Sequence, residues 1–311
     1  MTQLRWVFRA IAAVSAVLAL RFAFEFPWAG TMAALRSADW VLLALAAVTN
    51  LASLGAKGWA WHLLLRPAWP HRWRVAQAGT FIGAAVSVVS ISVSGEAARL
   101  QALATRGEPP LAPAISSIVW SRVTEAIALA LFLTGVLVLL PPAPWVRAAR
   151  LGAVAVLAAV VLPWATGGSG WVIARLPAGW RSAVTVGSAG APPLVAPVLL
   201  GTVNWMLQWL AYHWTIAATG ITAPAGAALT ALVAANLGGV LRLTPGNVGV
   251  LQAAVVMGLL PFGVAAERGL AGGLALQAVQ VVPTLAVGTA LVGFAGLRSL
   301  GARSARADGP R

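Results

Sequence analysis

The sequence predicts an all-α, polytopic membrane protein with about six full spans and two re-entrant or broken helical hairpins. Composition is the first reason: 60% of the residues are hydrophobic and 9% charged, with a mean hydropathy of +0.87, far outside soluble composition. Second, the apolar runs reach the roughly 20 residues that a bilayer core requires, and no polar block of domain size separates them. Third, residues 92–126 hold three of the seven acidic residues (Glu96, Glu108, Glu125) beside Arg99, Arg106 and Arg122, between long apolar runs. An ionisable group at the bilayer centre costs about 2.5 kcal/mol or more, so such groups face a protein-lined or watery cavity.

The net charge of +14 comes from arginines placed in short segments between apolar runs, with Lys57 the single lysine. That is the positive-inside pattern, not a nucleic-acid patch, and no nucleic-acid partner is expected. The absence of cysteine excludes disulfides, thiolate metal sites and thiol catalysis.

In chain order, Arg5 and Arg9 open an apolar run over about residues 6–26, ending at Pro27 and Trp28. No small-residue cleavage site precedes Glu25, so this is read as a retained first span. A short polar connection with Arg36 and Asp39 leads to a second span, 40–65, where Lys57 is expected to snorkel and Trp59 and Trp61 to form an interfacial belt. Arg66, His71, Arg72 and Arg74 make the densest basic loop, expected in the cytoplasm together with both termini. Residues 76–93 are apolar but broken by Gly79, Gly83, Ser87, Ser90 and Ser92, which suits either a full span or a re-entrant hairpin.

A long span follows over 112–140, with Ser116, Ser117, Ser121, Arg122 and Glu125 in its first half and Pro141, Pro142 and Pro144 at its end. A fifth span (148–164), a Gly-rich basic loop (167–193) and a sixth span (194–218, with Asn204, Gln208, Tyr212 and His213) come next. Residues 223–243 form a small-residue-rich apolar arm that stops at a turn signal, Arg242-Leu243-Thr244-Pro245-Gly246-Asn247-Val248-Gly249. A second arm, 250–262, returns, and a last span over 269–297 carries Gln277 and Gln280 before a cytoplasmic, disordered tail, 298–311. With both broken segments re-entrant, the single domain 1–297 divides into half-repeats 1–145 and 146–297 of opposite orientation, an architecture typical of transporters.

Arg122 and Glu125 stand three apart and share a helix face. A neutralised pair pinning two helices is the plain reading. Glu96 and Arg99 at a glycine break add a second carboxylate and guanidinium, and two such pairs suit one cavity. The planar guanidinium fork of Arg99 or Arg122 matches phosphate oxygens. The turn at Pro245, Gly246, Asn247 and Gly249 leaves backbone donors at a helix start, which favour anions; Arg242 either contacts phosphate or snorkels, and snorkelling is favoured. His62, His71 and His213 show no metal-ligand spacing and are expected at the interface. No phosphate loop, His-Glu-x-x-His motif or Gly-x-Ser-x-Gly elbow occurs, and Asp39 and Asp308 are the only aspartates. No enzyme activity, metal or cofactor is expected.

Together these motifs resemble the flippase-like membrane region of the lysylphosphatidylglycerol synthase family. The family's Pro-Gly-x-x-Gly-Glu-x-x-Arg is matched at Gly95, Glu96 and Arg99, its Glu-Arg-x-x-Asp at Arg122 and Glu125, and its Pro-Gly-Gly-x-Gly-x-x-Glu at Pro245, Gly246 and Gly249. Ile91 and Ser92 replace the first Pro-Gly, Ser121 the glutamate before Arg122, and Gln252 the last glutamate. The soluble aminoacyl-transfer domain of the long members has no counterpart here, so the resemblance implies not synthesis but translocation of a phospholipid or lipid-linked anionic headgroup across the inner (plasma) membrane, without ATP hydrolysis on this chain. The alternative expectation is a non-transporting accessory or scaffold subunit for a partner enzyme of envelope-lipid or glycan biosynthesis. The expected substrate-binding residues are Glu96, Arg99, Arg122, Glu125, Arg242, Pro245, Gly246, Asn247, Gly249 and Gln252.

Overall fold

The computed structural model of the chain describes residues 28–89, 94–107, 111–136, 194–240 and 247–307, with short pieces between 147 and 175. The expected first span, most of the 167–193 loop and eight of the 17 residues of the expected fifth span lie outside the described residues. Among the described residues the regular structure is helical: α1 (Trp28–Arg36), α2 (Trp40–Leu65), α3 (Trp73–Val89), α4 (Ser94–Gly107), α5 (Leu111–Val136), α6 (Val195–Ala218), α7 (Ala225–Val240), α8 (Val250–Leu259) with a 3-10 turn at Leu260–Phe262, and α9 (Ala266–Ala307). The chain is a helical, polytopic membrane protein.

Among the described residues three helices are long and apolar enough to cross a bilayer: Trp40–Leu65, Leu111–Val136 and the Ala266–Gly293 part of α9. The 24 residues of α6 give it a length of about 36 Å, but Asn204, Gln208 and His213 make it less apolar than those three. Two expectations change. Residues 28–36 are helix α1 rather than plain connection, held on α9 by Thr31 Oγ1 donating to the Glu267 carbonyl at 3.1 Å. α9 continues through Ala307 instead of ending at Leu297, because Leu, Ala and Arg across 297–307 are good helix formers.

Asp39 starts α2: its Oδ1 accepts from the Val41 and Leu42 amides at 2.8 and 3.1 Å, satisfying two donors that a helix start leaves open. α3 and α4 run antiparallel, since Gly83 abuts Gly95 while Gly79 abuts Arg99. α7 and α8 do the same: Gly238 meets Val250, whereas Gly258 meets Ala231. The approach at Gly258 is close enough for Thr230 Oγ1 to donate to the Gly258 carbonyl at 2.7 Å. With 17, 14, 16 and 10 residues, these four helices reach only about 15–26 Å each.

The element order therefore recurs as long helix, short antiparallel pair, long helix: α2, α3/α4, α5, then α6, α7/α8, α9. Packing follows the same scheme, with α2 on α6, α2 on α9 and α6 on α5. Each half has its own apolar cluster. Trp61, Leu65, Ala76, Leu103 and Ala114 join α2 to α5, while Leu229, Leu232, Leu251, Val255, Leu259 and Leu276 join α7, α8 and α9. The polar site lies where the two sets of helices meet.

Candidate functional site

Helical spacing puts Glu96 and Arg99 on one face of α4, and Arg122 and Glu125 on one face of α5. The fold brings these faces together and adds α2. The result is a chain of alternating charge. Lys57 Nζ lies 2.9 Å from Glu125 Oε1, and Arg122 Nη1 donates to Glu125 Oε2 at 2.9 Å. Arg122 Nη2 reaches across to Glu96 Oε1, and Arg99 Nη1 donates to Glu96 Oε2 at 3.1 Å.

Every carboxylate oxygen in this chain already faces a cation, and three cations against two carboxylates leave one positive charge in excess. Arg99 Nε and Nη2 are buried without a hydrogen-bond partner. Its guanidinium lies 4.1 Å from the centre of the Trp61 ring, which offers a cation–π contact in place of water. Trp61 is wholly buried, and its indole N–H donates to Ser117 Oγ at 3.0 Å.

Beside the ion chain opens a cavity of about 670 Å³. Lys57, Arg122 and Glu125 form its charged wall. The other walls carry amides from nearly every remaining element: Asn50 of α2, Asn204 and Gln208 of α6, Asn236 of α7, and Gln277 and Gln280 of α9, with Asn247 before α8. Arg122 is the most open of the charged side chains, at 46% exposure, against 26% for Lys57, 19% for Glu125 and 4% for Arg99. Such a hollow can hold a group with acceptor oxygens against Arg122 and Lys57 and hydroxyls against the amides.

Of the residues expected from the sequence, Arg122, Glu125 and Asn247 line the cavity. Glu96 and Arg99 stand behind it, joined through Arg122. Gln252 is buried and serves the start of α8: its Oε1 accepts from the Gly249 amide at 2.6 Å, and its Nε2 lies 3.5 Å from Gln277 Oε1. The turn before it is tight, with Asn247 at φ 54° and Gly249 at φ 83°, the left-handed region that glycine and asparagine tolerate. Arg242, Pro245 and Gly246 lie outside the described residues.

Two expectations are corrected here. Lys57 does not snorkel; its partner Glu125 holds it at the site. Trp61 is not interfacial, because Ser117 supplies the acceptor that its N–H would otherwise find at the headgroups. His62 is buried and bonded to His71. The amides of α2, α6, α7 and α9 were not picked out as site residues, and only their position inside spans hinted at them. Among the described residues no group of three metal-ligating side chains is present.

Residues 8–288 match the family model described as "Lysylphosphatidylglycerol synthase TM region". No curated protein matches the chain.

Proposed function

The chain belongs to the family of the lysylphosphatidylglycerol synthase TM region, and from that membership we propose that it translocates a phospholipid or lipid-linked anionic headgroup between leaflets. One observation carries the reading: beside a lined cavity, three cations stand against two carboxylates and leave a net positive charge. A structural staple needs only matched charges. A surplus of positive charge beside a hollow suits a phosphate.

In this reading Arg122 takes the phosphate oxygens, Lys57 shares the charge, and Glu96, Arg99 and Glu125 hold these two cations in place. The amides take hydroxyls of the headgroup. The second half contributes Asn247 and Gly249, with Arg242, Pro245 and Gly246 as further contacts and Gln252 positioning the turn. The two short antiparallel pairs, too short to cross a 30 Å core, are re-entrant hairpins, and the halves 1–145 and 146–297 of a single domain form an inverted repeat around the site. The protein sits in the inner membrane with both termini and the 298–311 tail cytoplasmic, and performs no covalent chemistry and no ATP hydrolysis itself.

Purified protein in vesicles should accelerate leaflet exchange of fluorescent phosphatidylglycerol, and Arg122→Ala should slow it about tenfold or more, the effect of one charge-assisted contact. No acceleration over a panel of anionic lipids would leave the accessory-subunit reading standing. Undiminished exchange in Arg122→Ala and Glu96→Gln proteins would remove the site assignment even with transport intact.

A further inference from the structure

We propose that the turn between α2 and α3 is a second, peripheral binding site for a phosphate-bearing group, occupied by the headgroup of an anionic lipid. A cavity of about 460 Å³ opens there, lined by His62, Arg66, His71, Arg72, Trp73 and Arg74. Three of these are cationic and none is acidic. Arg66, Arg72 and Arg74 have no ion-pair partner among the described residues. This contrasts with the central site, where every cation is paired.

The walls are built, not merely exposed. His71 Nδ1 lies 2.7 Å from the Trp69 carbonyl, which only accepts, so that nitrogen carries the proton. In the neutral ring His71 Nε2 is then an acceptor, and His62 Nδ1, 2.9 Å away, donates to it. Both nitrogens of His71 and Nδ1 of His62 are thus spent within the turn. Trp69 stacks on His71 at 4.9 Å, and Trp59 on Trp73 at 5.3 Å, both with planes 11° apart. The chain between the helices is pinned as well, by Trp69 N to Leu65 O at 3.1 Å and Val75 N to Arg72 O at 2.9 Å. Ordered aromatics hold the space open, and the guanidiniums supply the attraction.

The aromatics also select between two sources of phosphate. Trp59 and Trp73 are 40% and 42% exposed as a stacked pair at the end of a membrane-length helix, the position of an interfacial tryptophan belt. A cavity level with that belt meets headgroups, and basic pockets between spans hold anionic lipids. The inference does not rest on translocation; a chain with no exchange activity would still bind here.

The test uses the full chain in zwitterionic detergent, counting bound phosphatidylglycerol by native mass spectrometry during a lipid titration. Arg72→Gln/Arg74→Gln should weaken one class of bound lipid about 30-fold, at the strength expected for two basic residues near a headgroup. Arg122→Gln should leave that class unchanged, which separates it from the central cavity. If the double variant does not fold, the single variants replace it, each expected at about fivefold. Equal lipid retention by the wild type and the variants overturns the site. Thermal stabilisation by inorganic phosphate equal to that by short-chain phosphatidylglycerol overturns the lipid as occupant.

Discussion

The pairing of Lys57 with Glu125 is the feature most open to refutation, because snorkelling was the simpler expectation for a lysine near a helix end. At 2.9 Å and an effective dielectric of 20, the direct attraction is about 6 kcal/mol. Desolvation takes back several kcal/mol, and the cavity side of the pair, with side chains 26% and 19% exposed, screens more. A net coupling of about 1–3 kcal/mol remains. The perturbation is a double-mutant cycle of Lys57→Met, Glu125→Gln and the double variant. Glu125→Gln alone strips two cations of a partner and should cost about 2–4 kcal/mol; Lys57→Met costs less, because Arg122 still covers Glu125. In the Lys57→Met background the cost of Glu125→Gln should fall by the coupling energy. Reversible unfolding in mixed micelles, followed by tryptophan fluorescence, measures each corner of the cycle. At roughly 2 °C per kcal/mol for a chain of this size, the coupling reads as about 2–6 °C. A coupling below about 0.5 kcal/mol means that Lys57 leaves Glu125 for the headgroup region, and the charge surplus of the site disappears with it.

Other expectations follow from close approaches and caps. A Cβ on Gly83 would stand 2.7 Å from the Gly95 carbonyl and inside the Arg99 side chain, so Gly83→Ala should destabilise by about 1–3 kcal/mol, whereas Gly55→Ala, with nothing within 4 Å, should be neutral or stabilise by up to about 1 kcal/mol; the two unfolding midpoints decide it. Gln252→Ala loses the acceptor for the Gly249 amide and should cost about 1 kcal/mol, while Gln252→Glu keeps that acceptor but buries a carboxylate against Gln277 Oε1 and should cost more, about 2–3 kcal/mol. His71, in the turn outside the spans, is held below the ordinary imidazole range by burial, with the Trp69 carbonyl opposing and the Arg66 charge reinforcing. Its lowered value means that the fold prefers the neutral ring, so this contribution is complete above the unfolded value of about 6.5 and is lost as pH falls below it. The unfolding midpoint of wild type should drop from pH 7 to pH 5.5, and a His71→Gln slope equal to that of wild type would count against the assignment.

Local rules carried most of the legible part. The second span was bounded at 40–65, the extent of α2, because a polar connection with Arg36 and Asp39 precedes it and a basic loop follows Leu65; in the structure Asp39 is its cap. The Arg122–Glu125 and Glu96–Arg99 pairs were visible because i,i+3 spacing is a property of any helix. What was not visible depends on contacts between distant segments. Whether a lysine snorkels is decided by whether its end of the helix meets water or a carboxylate, and Glu125 comes from another helix. Trp61 follows the same logic, since its acceptor Ser117 lies on α5. The amide walls had only a faint local signal: single Asn and Gln residues inside apolar helices acquire a common purpose only when α2, α6, α7 and α9 surround one hollow.

α2 connects the two proposed phosphate positions. Lys57 and Arg66 lie on it nine residues apart, about 14 Å along the axis, less than half of a 30 Å hydrocarbon core. If capture at the turn precedes entry, the two sites affect transport differently. Loss of the turn arginines lowers the local concentration of headgroups without changing the cavity, so Arg72→Gln/Arg74→Gln should raise the mole fraction of phosphatidylglycerol that half-saturates exchange and leave the maximal rate intact. Arg122→Gln alters the cavity itself and should lower the maximal rate. The assay is the exchange rate in vesicles over a series of phosphatidylglycerol fractions in a zwitterionic background. Variants of both kinds that scale the maximal rate alike would show that the turn is not an entry site but part of one continuous binding surface.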